Sequence, residues 1–506
     1  MFETSCPPAT STLLAPKKMG MSLPTRPPGQ IGTLLALFIA VLAWRAIAFS
    51  LSNATLYVDE AQYWFWSQHL AWGYFSKPPG IAALIHLSTA LFGDGPLGVK
   101  ALTMLCYPLS ALICWLIAQH LYDASTAFWA AIAALTLPIY SWLGLFASTD
   151  APLTLLWLLG LWFYLRAIEH GRWMDWLMLG AACGLGLLSK YTMAVFIAAL
   201  FLHLLCFHRT FLTSAKPWAA AGLSLALLAP NLLWNLANDF PTLRHTADIT
   251  LNRHNGGGLK SLAEFWAAQW ISFGPLLGSV VALILFRFRE TWRDTPARLL
   301  LWFSLPLWAV VSVQALQGSA NANWAAPAFG PMAILLVAWL RQRDQHKWLL
   351  TGVATNFALI GVIYHAPGLL AAANVSSQAK LNPFIRATGW DELGQQLRPL
   401  VQTHPNAVLI ANNRTLLAHM AYELHGQQPR IASWNPEGVA SDHFKLTMKL
   451  DAHRGGDALL LTEAAPDQEF TERFTHVEKL ASLAAPLDTI NSRHIEVYLL
   501  HEFQGY

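Results

Sequence analysis

Charge is what this sequence has least of. Only 12% of its 506 residues are Asp, Glu, Lys or Arg, against about 25% in soluble globular proteins. That deficit excludes an ordinary soluble domain and places the chain in the membrane class. No basic stripe runs along it, so nucleic acid is not an expected partner. Cysteine is scarce as well. Cys106, Cys114, Cys183 and Cys206 lie in apolar segments, Cys6 lies near the start, and none occurs after residue 365. A disulfide framework and a Cys-based metal motif are thereby excluded. The Gly256-Gly257-Gly258 run lacks the strand–helix context of a phosphate cradle. No internal repeat is visible.

Long apolar runs take the place of charge. Residues 1–30, with Lys17, Lys18 and Arg26 among Pro, Ser and Thr, read as a disordered basic tail. The run Ile31 to Ser50 has no clear small-residue cleavage site, which favours an uncleaved span over a signal peptide. Ten more apolar segments follow at roughly 97–120, 126–147, 151–168, 174–188, 191–207, 218–236, 266–286, 299–316, 327–340 and 348–364. Spanning hydrocarbon takes about 17–25 helical residues, and several of these segments are at the short end. Residues 81–93 are too short to span and read as an interfacial helix. A lysine at mid-membrane is costly, so Lys190 marks a turn between two spans rather than the middle of one helix. With that turn, the basic loops at 287–298 and 341–347 fall inside. The expected architecture is mostly α: a bundle of eleven spans over 31–364, N-terminus inside and C-terminus outside. Many of the 23 Trp lie near span ends, as interfacial anchors do.

From about His365 the composition changes. Segments 406–413, 429–434, 457–463 and 495–503 read as strands, and 414–426 as a helix. The order suggests a small α/β domain over 365–506 with a partly parallel sheet, on the outer side by the span count. Nine of the 18 histidines lie here, without metal-ligand spacing.

The polar chemistry gathers in the loops expected outside. The first, 57–79, reads YVDEAQYWFWSQHLAWGYFSKPP and holds Asp59, Glu60 and Lys77. The others supply Asp150, then Lys190 and Tyr191, then Arg244 and His245, then Asn323 and Trp324. Each has a plain structural reading beside the chemical one. Asp59-Glu60 and Asp150 suit helix N-termini, Lys77 and Lys190 suit snorkelling anchors, and Arg45 near the outer end of the first span suits either. The aromatic run Tyr63 to Phe75 would place rings at headgroup depth and hold the acids at the membrane boundary. A transporter is the rival from another class, but its polar groups belong near the bilayer midplane, and here they sit at span ends. A structural assembly protein would leave the acidic first loop unexplained.

The segments DEAQYW (59–64), GYFSKPP (73–79), STDAP (148–152) and GLLSKY (186–191) resemble those of polyprenyl-phosphate-dependent glycosyltransferases of the GT-C type. The closest branches are the bacterial aminoarabinose transferase and galacturonosyltransferase-like proteins, with protein O-mannosyltransferases more distant. The resemblance implies a sugar passed from an undecaprenyl-phosphate-type donor to a lipid A, glycan or protein acceptor at the outer face. By that likeness Asp59 is the principal catalytic acid, with Glu60 beside it and Asp150 as a second acid. Lys77 would contact donor phosphate, and His245 sits where such enzymes place polar site residues. The aminoarabinose branch carries an acidic metal-linked residue where this chain has Ser76. A divalent cation is therefore the one cofactor to consider, and no metal ligands are assigned. The chemistry asks for a base on the acceptor hydroxyl and for cations, Lys77 and Arg244, on the leaving phosphate. A single inverting displacement follows. A phosphate acceptor would need no base, and Asp59 would then orient or bind.

Overall fold

The computed structural model describes residues 30–251, 257–376, 381–488 and 490–506. The tail before Gln30, and Arg253, His254 and Gly256, lie outside the described residues. Helices dominate up to residue 372. By length and composition, seven described helices can cross a membrane, or eight with one bent pair counted as a span. Expected spans 174–188 and 191–207 are helices of 17 and 15 residues, Trp173–Ser189 and Met193–Phe207. The break between them falls where Lys190 predicts it. Lys190 itself is extended.

Three expected spans are not continuous helices; one, 299–316, is Thr295–Trp302 and then Leu305–Gln317. Segment 126–147 is Ala124–Leu135 and then Pro138–Leu143, because Pro138 has no N–H to continue the ladder. Segment 266–286 is the end of Leu259–Phe273 followed by Pro275–Phe286, bent by 118°. Gly274 makes that corner at φ +84°, and a Cβ there would meet Asn356 Oδ1 at 1.8 Å. Asn356 Nδ2 in turn donates to the carbonyl of Phe273, 2.9 Å.

Arg45 does not snorkel. It is fully buried; its Nε donates to Tyr364 Oη at 2.8 Å and its Nη1 to the carbonyl of Met104 at 3.3 Å. Gly144 makes room, since a Cβ there would lie 2.2 Å from the guanidinium carbon.

The C-terminal part carries one five-stranded sheet in the order β2-β1-β3-β5-β4. β1 (Val408–Ala411) pairs in parallel with β2 (Ile431–Ser433) and β3 (Ala458–Thr462). β5 (Ser492–Phe503) runs antiparallel to both β3 and β4 (Phe474–Pro486). The four expected strands are present, and Arg414–Glu423 is the expected helix. β4 is additional. As an edge strand it is mostly exposed, with Glu478 and Lys479 along it and Pro486 at its end, so its sequence lacks the alternation that marks a half-buried strand.

The first loop packs into this domain. Helix Val58–Gln68 contributes Tyr63, Trp64 and Trp66 to a buried cluster shared with Trp390, Leu393, Leu416, Leu417 and Phe444. Trp64 meets Tyr422 edge-on at 5.1 Å, and Trp66 stacks on Tyr74 with His443 against both. The expectation that these rings lie in lipid headgroups is thus corrected: Trp66 and Tyr74 are 1% exposed, while Trp72 remains exposed. Apolar rings beside a water-exposed domain gain as much by burying against protein as against lipid, and the sequence does not distinguish the two.

Candidate active site

Helix Val58–Gln68 begins with an acid pair whose members diverge. The Glu60 carboxylate turns back to accept the Tyr57 N–H at 2.7 Å, as an acid in a first turn does. It also accepts the Ala147 N–H and pairs through both oxygens with Lys100. Glu60 and Lys100 are 1% and 0% exposed. Glu60 thereby ties the first loop to the segment that leads into Asp150.

Asp59 faces the other way and stays accessible, its side chain 43% exposed. Its Oδ1 accepts Arg414 Nη1 at 3.0 Å, and the same nitrogen donates to Gln62 Oε1 at 2.7 Å. Asp59 and Gln62 are three residues apart on one helical face, so one guanidinium spans both.

Asp150 opens helix Asp150–His170, where the helix dipole favours an anion. Its Oδ1 accepts Lys190 Nζ and its Oδ2 accepts Asn323 Nδ2, each at 2.7 Å. Tyr191 Oη donates to Asn231 Oδ1 at 2.6 Å, and Asn231 Nδ2 donates to the carbonyl of Trp72 at 2.7 Å. The first loop is therefore tethered to the Ala215–Ala237 helix as well.

These groups surround one cavity of about 790 Å³, a volume suited to a small-molecule site. Asp59, Glu60, Lys77, Asp150, Lys190, Tyr191, His245, Asn323 and Trp324 all line it. Arg244 does not. On helix Pro241–Leu251 the cavity takes His245, Thr246 and Ile249, and Arg244 is exposed on another face. Loop membership alone cannot decide which side of a helix a residue occupies.

Burial lowers the Lys77 ammonium pKa, and neighbouring Lys190 lowers it further, while Asp59 and Asp150 oppose them. Burial, followed by Lys77, holds His245 below the usual histidine range, with Asp248 opposing. Three residues that sequence reasoning missed complete the site. Lys100 stands inside an expected span, and a buried charge there is itself a signal. Arg414 and Arg386 come from the C-terminal domain, with nothing local in their sequence to link them to Asp59.

A divalent cation does not fit these residues. Ser76 lines the cavity where the resemblance would place an acid. Among the described residues no three His, Cys, Asp or Glu side chains gather as a ligand set, and Asp59, Glu60 and Asp150 each already face a cation.

Residues 76–234 match the family model described as dolichyl-phosphate-mannose-protein mannosyltransferase. The lipid A galacturonosyltransferase RgtD of Rhizobium johnstonii is 28% identical over 437 residues, 85% of this chain and 91% of that protein. An undecaprenyl phosphate-alpha-4-amino-4-deoxy-L-arabinose arabinosyl transferase of Pseudomonas savastanoi is 26% identical over 60% of this chain and 59% of its own length. In fold, the chain superposes on ArnT from Cupriavidus metallidurans bound to undecaprenyl phosphate. The TM-score is 0.65 at 15% identity, over 93% of this chain and 98% of that one. In sequence and in fold, then, this chain resembles the polyprenyl-phosphate-dependent glycosyltransferases of the GT-C type.

Proposed function

We propose that this protein is a membrane glycosyltransferase. It moves a sugar from an undecaprenyl-phosphate-type donor to a lipid A-like acceptor of the cell envelope. The observation that carries the reading is the cavity, where an accessible carboxylate, a clamped second carboxylate and a lysine with no ion-pair partner among the described residues converge near helix ends. The whole-length similarity to a lipid A galacturonosyltransferase supports a lipid acceptor. The family model's name keeps a protein acceptor as the second reading.

In this mechanism Asp59 takes the proton from the acceptor hydroxyl as the hydroxyl oxygen bonds to the anomeric carbon. The carbon–oxygen bond to phosphate breaks with inversion. The leaving phosphate gathers charge against Lys77, which has no carboxylate partner among the described residues, and an ammonium in a partly dry cavity stabilises such charge well. Asp150, fixed by Lys190 and Asn323, stabilises positive charge on the sugar ring. Glu60, paired with Lys100, holds the two acids in place.

The arrangement in the membrane follows the same reading. Eleven segments cross or enter the bilayer, several as short or broken helices, with the N-terminus inside. The cavity and residues 365–506 face the periplasm of a bacterial inner membrane. The test of the acceptor is a comparison of masses of outer-membrane lipid and of periplasmic proteins, with and without the gene. A sugar-sized loss from lipid A is expected, and a change confined to protein would overturn the lipid assignment.

A further inference from the structure

The cavity has more cation than its own carboxylates use. Asp59 is paired with Arg414, Asp150 with Lys190 and Glu60 with Lys100. Two cations of the lining, Lys77 and Arg386, have no carboxylate within ion-pair distance among the described residues. In the proposed reaction the donor's one phosphate occupies Lys77. Arg386 is left over.

Arg386 is also firmly mounted. It lies on the short turn Ile385–Ala387, whose neighbours Phe384 and Ala387 are buried against Phe49, Ala54, Leu145 and Tyr364. The Thr55 N–H donates to the carbonyl of Ala387 at 2.8 Å, and residues 54 and 388 form an antiparallel bridge. Trp390 Nε1 donates to the carbonyl of Arg386 at 3.0 Å. The C-terminal segment is thereby stitched to the start of the first loop, and that brings Arg386 Nη1 to 3.3 Å from Tyr57 Oη. Among the described residues a neutral hydroxyl is the only side-chain partner of this exposed guanidinium, which sits on a rigid base at the wall of the site.

Resting on the glycosyltransferase reading, we infer that Arg386 and Tyr57 form a second anion subsite. It receives a carboxylate or phosphate carried by a substrate in addition to the donor's own phosphate. The shared chemistry is a pair of anionic oxygens, which a guanidinium binds in two-pronged fashion. Two sources supply it: a uronic acid as the transferred sugar, or a phosphate on the lipid acceptor. A cationic amino sugar would be disfavoured at the same place by like charge.

The test uses full-length protein in nanodiscs, wild type against Arg386→Gln and Arg386→Lys, in two arms. The donor arm compares undecaprenyl phosphate carrying galacturonic acid with one carrying galactose. The acceptor arm compares phosphorylated with dephosphorylated lipid A. Losing a charged hydrogen bond should raise KM about tenfold or more for the anionic member of one arm. The neutral member should change little, and Arg386→Lys should recover part of the loss. The arm that responds identifies the source. Equal effects on charged and neutral substrates in both arms, or no effect, would overturn the proposal. Binding separates this from failure of the parent reading. If the wild type transfers no sugar, the enzyme assignment falls. The subsite is then judged by whether sodium galacturonate or phosphorylated lipid A stabilises wild type thermally and not Arg386→Gln. Equal stabilisation of both would overturn it. If Arg386→Gln does not fold, Tyr57→Phe removes the other half of the subsite and should shift the same KM in the same direction. An unchanged KM would count against the proposal.

Discussion

Lys100→Met should be among the most damaging single changes outside the cavity. Methionine keeps the length and apolar stem of lysine but removes the ammonium. The Glu60 carboxylate would then remain buried, with only the N–H groups of Tyr57 and Ala147 as partners. Removing one member of a buried pair costs about 3–5 kcal/mol, because the other charge is left uncompensated. The carboxylate cannot escape, since it is held in the turn between two helices and the 147–150 segment. Replacing both members is a different case. In Glu60→Gln with Lys100→Met no charge is buried, and the amide oxygen can still accept the Ala147 N–H. That double variant should recover at least about 2 kcal/mol of the loss, in line with buried pairs whose neutral replacement is tolerated. The assay is tryptophan fluorescence of the purified protein in detergent during thermal unfolding, with wild type, both single variants and the double. The expected order of midpoints is wild type, then double, then Lys100→Met. A Lys100→Met cost under about 1 kcal/mol, or a double variant less stable than the single, would refute the reasoning.

Glu423 supplies a pH dependence. It is buried in the C-terminal domain, and burial raises its carboxyl pKa from 4.5 to about 7. A folded-state value above the unfolded one means that stability is fully present below about pH 4.5 and is lost as pH rises to about 7. Glu423→Gln should therefore raise the unfolding midpoint at pH 8 and change it much less at pH 4.5; an equal effect at both would contradict the assignment. Arg414→Gln should lower kcat about tenfold with donor KM unchanged, because one charged hydrogen bond that orients Asp59 is lost. Arg414 acts through Asp59, so the same change in an Asp59→Asn background should cost nothing further, and an additive loss would show that it acts elsewhere.

Much of the site was legible in the sequence because its parts sit at span ends. Acids and lysines are expensive in hydrocarbon, so Asp59, Lys77, Asp150 and Lys190 stand out against apolar flanks, and the turn at Lys190 follows from the same cost. What was not legible concerns partners distant along the chain. Arg414 lies 355 residues from Asp59. The aromatic run reads as a headgroup anchor until the C-terminal domain is seen to cover Trp64 and Trp66. Arg244 and His245 are neighbours in sequence but point to different sides of one helix turn. Lys100 was available as an intramembrane charge, but its pairing with Glu60, which supports the bracing role proposed for that acid, lies 40 residues along the chain. β4 escaped notice because an exposed edge strand needs no alternating pattern.

In the proposed mechanism Asp59 is the group that accepts the acceptor's proton. The direct measurement is sugar transfer from an undecaprenyl-phosphate-linked donor by Asp59→Asn and wild-type protein in nanodiscs, with insertion and donor binding confirmed for both. Asparagine keeps an oxygen for Arg414 but is no base. Loss of general-base catalysis is worth about 100-fold or more, so kcat should fall by at least that factor while donor binding is kept. Full retained transfer by Asp59→Asn would contradict the account.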